Sequence, residues 1–223
     1  SCENVDIQGV HFSLGDDCIA IKSGKIYMGK TYQQPCRNLR IRQCFMENGH
    51  GAITMGSEMA GGILDVHVES CLFQNTDRGL RVKTRRGRGK HAIIDQIHFQ
   101  NIRMNHVKTP FVVNCFYFCD PDGKMRYAQS REYHEVDERT PEIKTLIFED
   151  IRCDNCHVAA TYFEGLPEKK IGHIIMKHVQ IAFADQVISD VPAMSLGVET
   201  CVRKGLIAKN VALLEMKNVM IKG

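Results

Sequence analysis

Apolar positions along the chain come in short alternating bursts such as Val5-Asp6-Ile7 and Ile19-Ala20-Ile21, each broken by Gly or Asn, and no amphipathic helical period is sustained over eleven residues. The bursts predict short strands. They also repeat. The segment from Asn4 to Gly24 aligns without gaps on Asn38 to Glu58, 34 residues later, with apolar positions matching apolar positions. Setting Cys44 on Cys71, a step of 27 residues, brings in a third copy that runs through Leu72-Phe73 to Gly79-Leu80-Arg81-Val82-Lys83. Weaker copies follow at Ile97–Ile102, Leu146–Ile151, Ile174–Val179 and Met216–Ile221.

A unit of several short strands with a period of about 30 residues cannot bury its apolar face alone, whereas stacked copies bury a continuous core. The pattern therefore predicts an all-β parallel β-helix, a solenoid of stacked coils forming one domain over residues 1–223. Leucine-rich repeats are excluded by the absence of their leucine spacing. A propeller blade would need longer strands joined by hairpins. Between Asn114 and Pro141 the period is interrupted, and Asp120-Pro121-Asp122-Gly123 predicts a tight turn. Residues 114–141 are read as a loop excursion, either one wall of a binding site or a plain surface insertion.

Composition narrows the function classes. Hydrophobic residues make up 43% and charged residues 25%, and no apolar run approaches the ~20 residues of a membrane span, so no membrane partner is expected. The net charge of +3 gives no general pull towards polyanions. A local basic turn, Thr84-Arg-Arg-Gly-Arg-Gly-Lys90, suits nucleic acid or an acidic polysaccharide equally well. With 7% aromatics, no Trp and no aromatic inside that run, base stacking has no support and no nucleic-acid partner is expected. The ten cysteines show no paired framework, which leans towards a reducing, cytoplasmic setting and leaves a secreted or periplasmic one open. Cys153-Asp-Asn-Cys156-His157 matches a haem-attachment pattern literally, but it lies in a repeat copy whose neighbours are core, so no cofactor and no metal are assigned.

Stacking turns the alignment into expected contacts, because equivalent residues of successive coils lie ~4.8 Å apart. Asp16 falls on His50 and then on Asp77, Ala20 on Thr54 and Arg81, and Lys22 on Gly56 and Lys83. Carboxylates, an imidazole and cations thus gather on one stripe. Asp16 and Asp17 are adjacent, and Gly15 before them suggests a bulge that turns both outward. Two carboxylates held close keep one member protonated, which provides the acid and base of glycosidic hydrolysis; an Asp-Asp turn at a coil corner is the plain alternative. His50 lies between Gly49 and Gly51, which would permit unusual backbone angles and close approach of a ligand. Arg81 and Lys83 share one face of a strand and could hold a carboxylate or phosphate.

These residues resemble glycoside hydrolase family 28, the polygalacturonases. Gly15-Asp-Asp-Cys-Ile-Ala-Ile-Lys-Ser-Gly24, Gly49-His-Gly51 and Arg81-Val-Lys83 are similar to three of its motifs, in order. Cys119-Asp-Pro-Asp-Gly123, Asp137-Glu-Arg-Thr-Pro141 and Tyr162-Phe-Glu-Gly-Leu-Pro167 resemble bacterial members. The resemblance implies a right-handed parallel β-helix that cleaves α-1,4-galacturonosyl linkages with inversion and without a metal. It implies that Asp16 is the general acid, Asp17 a carboxylate activating water and His50 the group tuning Asp16, with Arg81 and Lys83 holding the substrate carboxylate. Lys22, two coils below Lys83, is expected to add to that positive surface. The family's Asn-Thr-Asp motif is expected upstream of Ser1, since Asn75-Thr76-Asp77 falls directly before the Arg-Val-Lys motif. The chain therefore reads as the carboxy-terminal part of a longer enzyme. The alternatives are a β-helix polysaccharide lyase, which would use a calcium-binding carboxylate cluster, and a non-catalytic β-helix that binds acidic glycans.

Overall fold

A computed structural model describes residues 1–223. The chain winds as seven coils. The first three each contribute three short strands: β1 (Glu3–Gln8), β2 (His11–Ser13) and β3 (Ile19–Ile21), then β4 (Cys36–Arg42), β5 (Phe45–Glu47) and β6 (Ile53–Gly56), then β7 (Ile63–Glu69), β8 (Leu72–Gln74) and β9 (Arg78–Lys83). In later coils the first two strands fuse. The fourth has β10 (Ile93–Asn105) and β11 (Thr109–Asn114), and the two-residue β12 (Glu142–Ile143) leads into the fifth, β13 (Thr145–Cys156) and β14 (Ala159–Glu164). The sixth has β15 (Ile171–Phe183) and β16 (Lys204–Lys209), and β17 (Val211–Lys222) ends the stack. All the ladders between coils are parallel, in an eleven-stranded and a six-stranded sheet.

The register is the one the repeats predict. Val5 pairs with Leu39, Ala20 with Thr54, Thr54 with Arg81 and Gly56 with Lys83. The weaker copies also stack, Ile97 on Leu146 on Ile174, and Val179 on Val219. Inward side chains form continuous ladders, for example Val68, Phe99, Phe148 and Met176 in successive coils. A single apolar cluster of 43 buried residues results, so each coil is stable only against its neighbours.

Gly or a polar residue breaks each burst for a conformational reason. Gly9, Gln43, Ser70, Asn101, Asp150, His178 and Asn218 follow the paired ends of equivalent strands in all seven coils, and every one has a φ between 52° and 68°. One left-handed residue bends the chain from one face of the coil to the next, and β-branched residues tolerate that region poorly.

Coil length varies because insertions leave the solenoid at two corners. Helix α1 (Ile26–Tyr32), which no periodicity announced, lies between β3 and β4 and buries only Gly29, where a Cβ would come within 2.5 Å of Ala60. Residues 115–141 carry a 3₁₀ turn (Pro121–Lys124) and helix α2 (Arg126–Gln129). Residues 184–203 form a third insertion, between β15 and β16. No helix is long and apolar enough to cross a membrane.

The basic turn Thr84–Lys90 is a correction to the sequence reading. It is not a surface patch, because Arg85, Arg86 and Arg88 are all buried beneath residues 115–141. Arg85 pairs with Asp122 at 2.8 Å, and Arg88 donates to Ser57 at 3.0 Å. Arg86 uses all five of its N–H groups, on both oxygens of the equally buried Glu168 and on the carbonyls of Tyr127, Ser130 and Glu132. The arginines pin the excursion to the solenoid and offer no charge to a polyanion. Cys153 and Cys156 are buried core residues.

Candidate active site

The outer face of the six-stranded sheet carries two rows of side chains that run across the coils. One row is Ala20, Thr54, Arg81, Val112, Tyr162 and Ile207; the other includes Gly56, Lys83, Asn114, Glu164 and Lys209. Over the first three coils lies a cleft of about 530 Å³. Asp16, Asp17, His50, Arg81, Lys83 and Lys22, the six residues singled out in the sequence, all line it. Residues 115–141 contribute Tyr117, Cys119 and Asp120 to its walls, and residues 184–203 contribute Asp190, Val191 and Met194.

Adjacent carboxylates occupy different surroundings here. Asp16 is exposed, and its Oδ1 accepts the backbone N–H of Asp17 at 2.8 Å. The Asp17 side chain is only 8% exposed. Its Oδ1 accepts from the Thr54 hydroxyl at 2.8 Å and Arg81 Nη1 at 3.1 Å, and its Oδ2 accepts from Lys83 Nζ at 2.8 Å. Burial raises the Asp17 pKa, but the Lys83 hydrogen bond and charge, the Arg81 charge and the Thr54 hydroxyl outweigh it and hold the carboxyl below its ordinary range. The resemblance implied a carboxylate role for Asp17, and the cations that hold it ionised come from the third coil.

Lys83 is shifted as well. Burial lowers its pKa, and the single anion Asp17 does not make good the loss because the Arg81 charge stands beside both. The Tyr117 ring lies over the pair, 5.4 Å from Lys83 Nζ and 6.0 Å from the Arg81 guanidinium carbon. Arg81 Nη2 has only a thioether to donate to, Met194 Sδ at 2.9 Å. Lys22, almost half exposed, is paired with Glu58 at 2.9 Å.

His50 lies one coil from Asp16, and its backbone N–H donates to the Asp16 carbonyl at 3.1 Å. Its ring, however, bonds Asp77: Nδ1 is 2.8 Å from Asp77 Oδ2. Asp77 also receives Lys108 at 2.9 Å and Arg78 at 3.3 Å, and Lys108 spans to Asp190 at 2.9 Å. Burial raises the Asp77 pKa, and the His50, Lys108 and Arg78 contacts lower it further than burial raises it. The flanking glycines do not supply unusual backbone angles, since neither Gly49 nor Gly51 has a positive φ. They give room. A Cβ on Gly49 would meet Cys18 Sγ at 2.6 Å, and one on Gly51 would meet Thr54 Oγ1 at 2.2 Å and Asp17 Oδ1 at 3.1 Å.

Sequence reasoning missed Lys108, Arg78 and Asp190. Extending the repeat by one coil would have found Lys108 opposite Asp77, because Arg78 pairs with Thr109 and Leu80 with Phe111. Asp190 has no such signal, since it arrives on an insertion.

A solenoid with one charged cleft on the outer face of a parallel sheet defines the class, and comparison with known proteins identifies it further. The sequence profile of glycosyl hydrolases family 28 matches residues 1–196, and the chain belongs to that family. It is 30% identical over 205 residues to a probable polygalacturonase of Vitis vinifera, an alignment covering 89% of this chain and 39% of that protein. Its fold, a right-handed parallel β-helix, is shared with a hyperthermoactive exopolygalacturonase from Thermotoga maritima, at a TM-score of 0.66 and 21% identity over 99% of this chain and 44% of the other. A family 28 exopolygalacturonase of Yersinia enterocolitica superposes at a TM-score of 0.61 and 19% identity, covering 99% of this chain and 36% of the other. The chain spans less than half the length of these relatives.

Proposed function

We propose that the complete protein hydrolyses the α-1,4-galacturonosyl linkages of pectic galacturonan by acid/base catalysis with inversion, and that the cleft over the first three coils is where it does so. The observation that carries this reading is the contrast within the aspartate pair: one carboxylate caged by two cations, its neighbour facing the cleft without one. Pairs of acids whose surroundings differ divide the acid and base roles of glycoside hydrolysis. Asp17 is held as a carboxylate and activates water. Asp16 delivers the proton to the leaving oxygen. His50, oriented through Nδ1 by Asp77, tunes that proton through its other ring nitrogen.

Arg81 and Lys83 bind the uronate carboxylate while sharing Asp17. Arg81 Nη2 faces a sulfur, a weak acceptor that a carboxylate oxygen displaces with gain, and the Lys83 ammonium has donors beyond the one used on Asp17. Lys22 adds positive charge at the mouth of the cleft. A calcium-dependent lyase is less well supported, because a divalent cation at Asp17 would meet Arg81 and Lys83. A purely glycan-binding module has no use for an imidazole oriented beside an aspartate pair.

The test uses the full-length protein and polygalacturonate. Reducing ends are expected without the ultraviolet absorbance of an unsaturated product. Asp16→Asn is expected to lower kcat by ~10²-fold or more with binding retained, since the amide keeps the shape and cannot donate the proton. Turnover above about a tenth of the wild-type rate would remove Asp16 from the acid role, because general acid catalysis contributes at least ~10²-fold.

A further inference from the structure

We propose that residues 190–196 close the cleft immediately beyond Arg81 and Lys83, so that only the end of a galacturonan chain reaches the aspartates and the protein shortens its substrate from that end. This rests on the hydrolase reading above and adds the mode of attack.

The floor of the groove shows the closure. Along the sheet, Arg81 is followed by Val112 and then Tyr162, and Lys83 by Asn114 and then Glu164. An open groove would leave Val112 and Asn114 free for the next sugars of a polymer. Both are only 2% exposed. Ala193, itself 3% exposed, packs with Val112 and Tyr162 in a small apolar cluster, and Asn114 Nδ2 donates to the Met194 carbonyl at 3.1 Å. The inserted segment therefore lies directly on the floor at the fourth coil.

It is fastened from several sides. Arg78 donates to the Val191 carbonyl at 2.8 Å and the Pro192 carbonyl at 3.3 Å, and Lys108 holds Asp190 at 2.9 Å. On the excursion side, the Phe118 N–H donates to the Met194 carbonyl at 3.2 Å and the Leu196 N–H donates to Gln129 at 2.9 Å. Arg78 and Gln129 are themselves buried. Such a strap is part of the wall and does not swing aside for a passing polymer. Past it lies a separate cavity of about 670 Å³ lined by Leu196, Glu199, Ile207 and Lys209, which shares no lining residue with the cleft.

The spacing sets the size of the product. Arg81 spans the gap between the aspartates and the strap, donating through Nη1 to Asp17 at 3.1 Å and through Nη2 to Met194 Sδ at 2.9 Å, so the strap stands one side chain away from the pair and leaves room for a short product only. A chain running across the coils towards Lys83 reaches the aspartates only when its terminal sugars abut Met194.

The experiment follows early products of the full-length protein on long polygalacturonate by chromatography, with viscosity recorded in parallel. Short fragments of uniform length from the first turnovers, with viscosity falling slowly against reducing-end release, are expected. Oligogalacturonides blocked at one terminus or the other add a second readout, in which one block arrests cleavage and the other leaves it unchanged. A variant with residues 192–198 shortened to Gly-Ser-Gly should shift the products to longer and mixed lengths. A broad ladder of oligomers from the wild type at the outset, or indifference to blocks at both termini, would overturn chain-end attack while leaving the hydrolase reading intact. No hydrolysis of any galacturonan would overturn both. The wild-type profile decides even where the shortened variant does not fold.

Discussion

Replacing Lys83 by Met tests whether the Asp17 cage works as described, because it removes one cation at nearly constant length. Lys83 and Asp17 meet at 2.8 Å with side chains 9% and 8% exposed, so their contact is a buried, charge-assisted hydrogen bond. Such bonds contribute ~1.5–3 kcal/mol. The folded-state pKa of Asp17 lies below its ordinary value of 3.8. The stability it contributes is therefore fully present above 3.8 and is lost as the pH falls through the folded value. Lys83→Met brings the folded pKa back up, so the variant has less of this stability to lose. At neutral pH the newly buried methionine offsets part of the lost ion pair. The diagnostic quantity is the change in the difference between the two proteins. Urea unfolding of both over a series of pH values should show that difference moving in favour of Lys83→Met by ~1.5–3 kcal/mol on going from neutral pH to well below 3.8. At the acid end the wild type also retains a buried ammonium beside Arg81 with no anion, so the variant should become the more stable protein. Parallel stability curves would refute the cage. An Asp17→Asn background should abolish the pH-dependent difference.

In the full-length protein, Gly51→Ala would place a methyl group 2.2 Å from Thr54 Oγ1 and break the Thr54–Asp17 hydrogen bond; kcat/KM on polygalacturonate should fall, and an unchanged value would show that this bond is dispensable. Arg86→Met leaves Glu168 buried and alone and should lower stability to urea by ~3–5 kcal/mol, with Arg86→Met/Glu168→Leu recovering much of the loss; a single variant as stable as wild type would mean the arginine does not pin the excursion. Lys83→Ala should reduce kcat/KM about tenfold or more on de-esterified galacturonan. On fully methylated oligomers the loss should be smaller, and an equal loss on both would assign the lysine to Asp17 alone.

The coil register was legible in the sequence because parallel stacking converts a sequence period directly into a spatial neighbour. Matching Ala20 to Thr54 and Arg81, or Gly56 to Lys83, needed only the repeat, and the same matching gathered Asp16, Asp17, Lys22, His50, Arg81 and Lys83 into one cleft. The breaks between bursts were legible as breaks, and the structure shows them to be left-handed corners repeated in every coil. Tertiary structure alone decided which of these groups bond to one another. His50 lies beside Asp16 in the stack, yet its ring turns to Asp77, a choice between partners on adjacent coils that a one-dimensional pattern does not encode. The arginines of the basic run Thr84–Lys90 look like a surface patch in the sequence and are buried in the structure, because Asp122 and Glu168, far apart along the chain, converge on them. The strap over Val112 and Asn114 belongs to the same category. Insertions have no period, so their course is set by distant hydrogen-bond partners such as Arg78 and Gln129 and by the apolar surface left for Ala193 to cover, and these exist only once the coils have stacked.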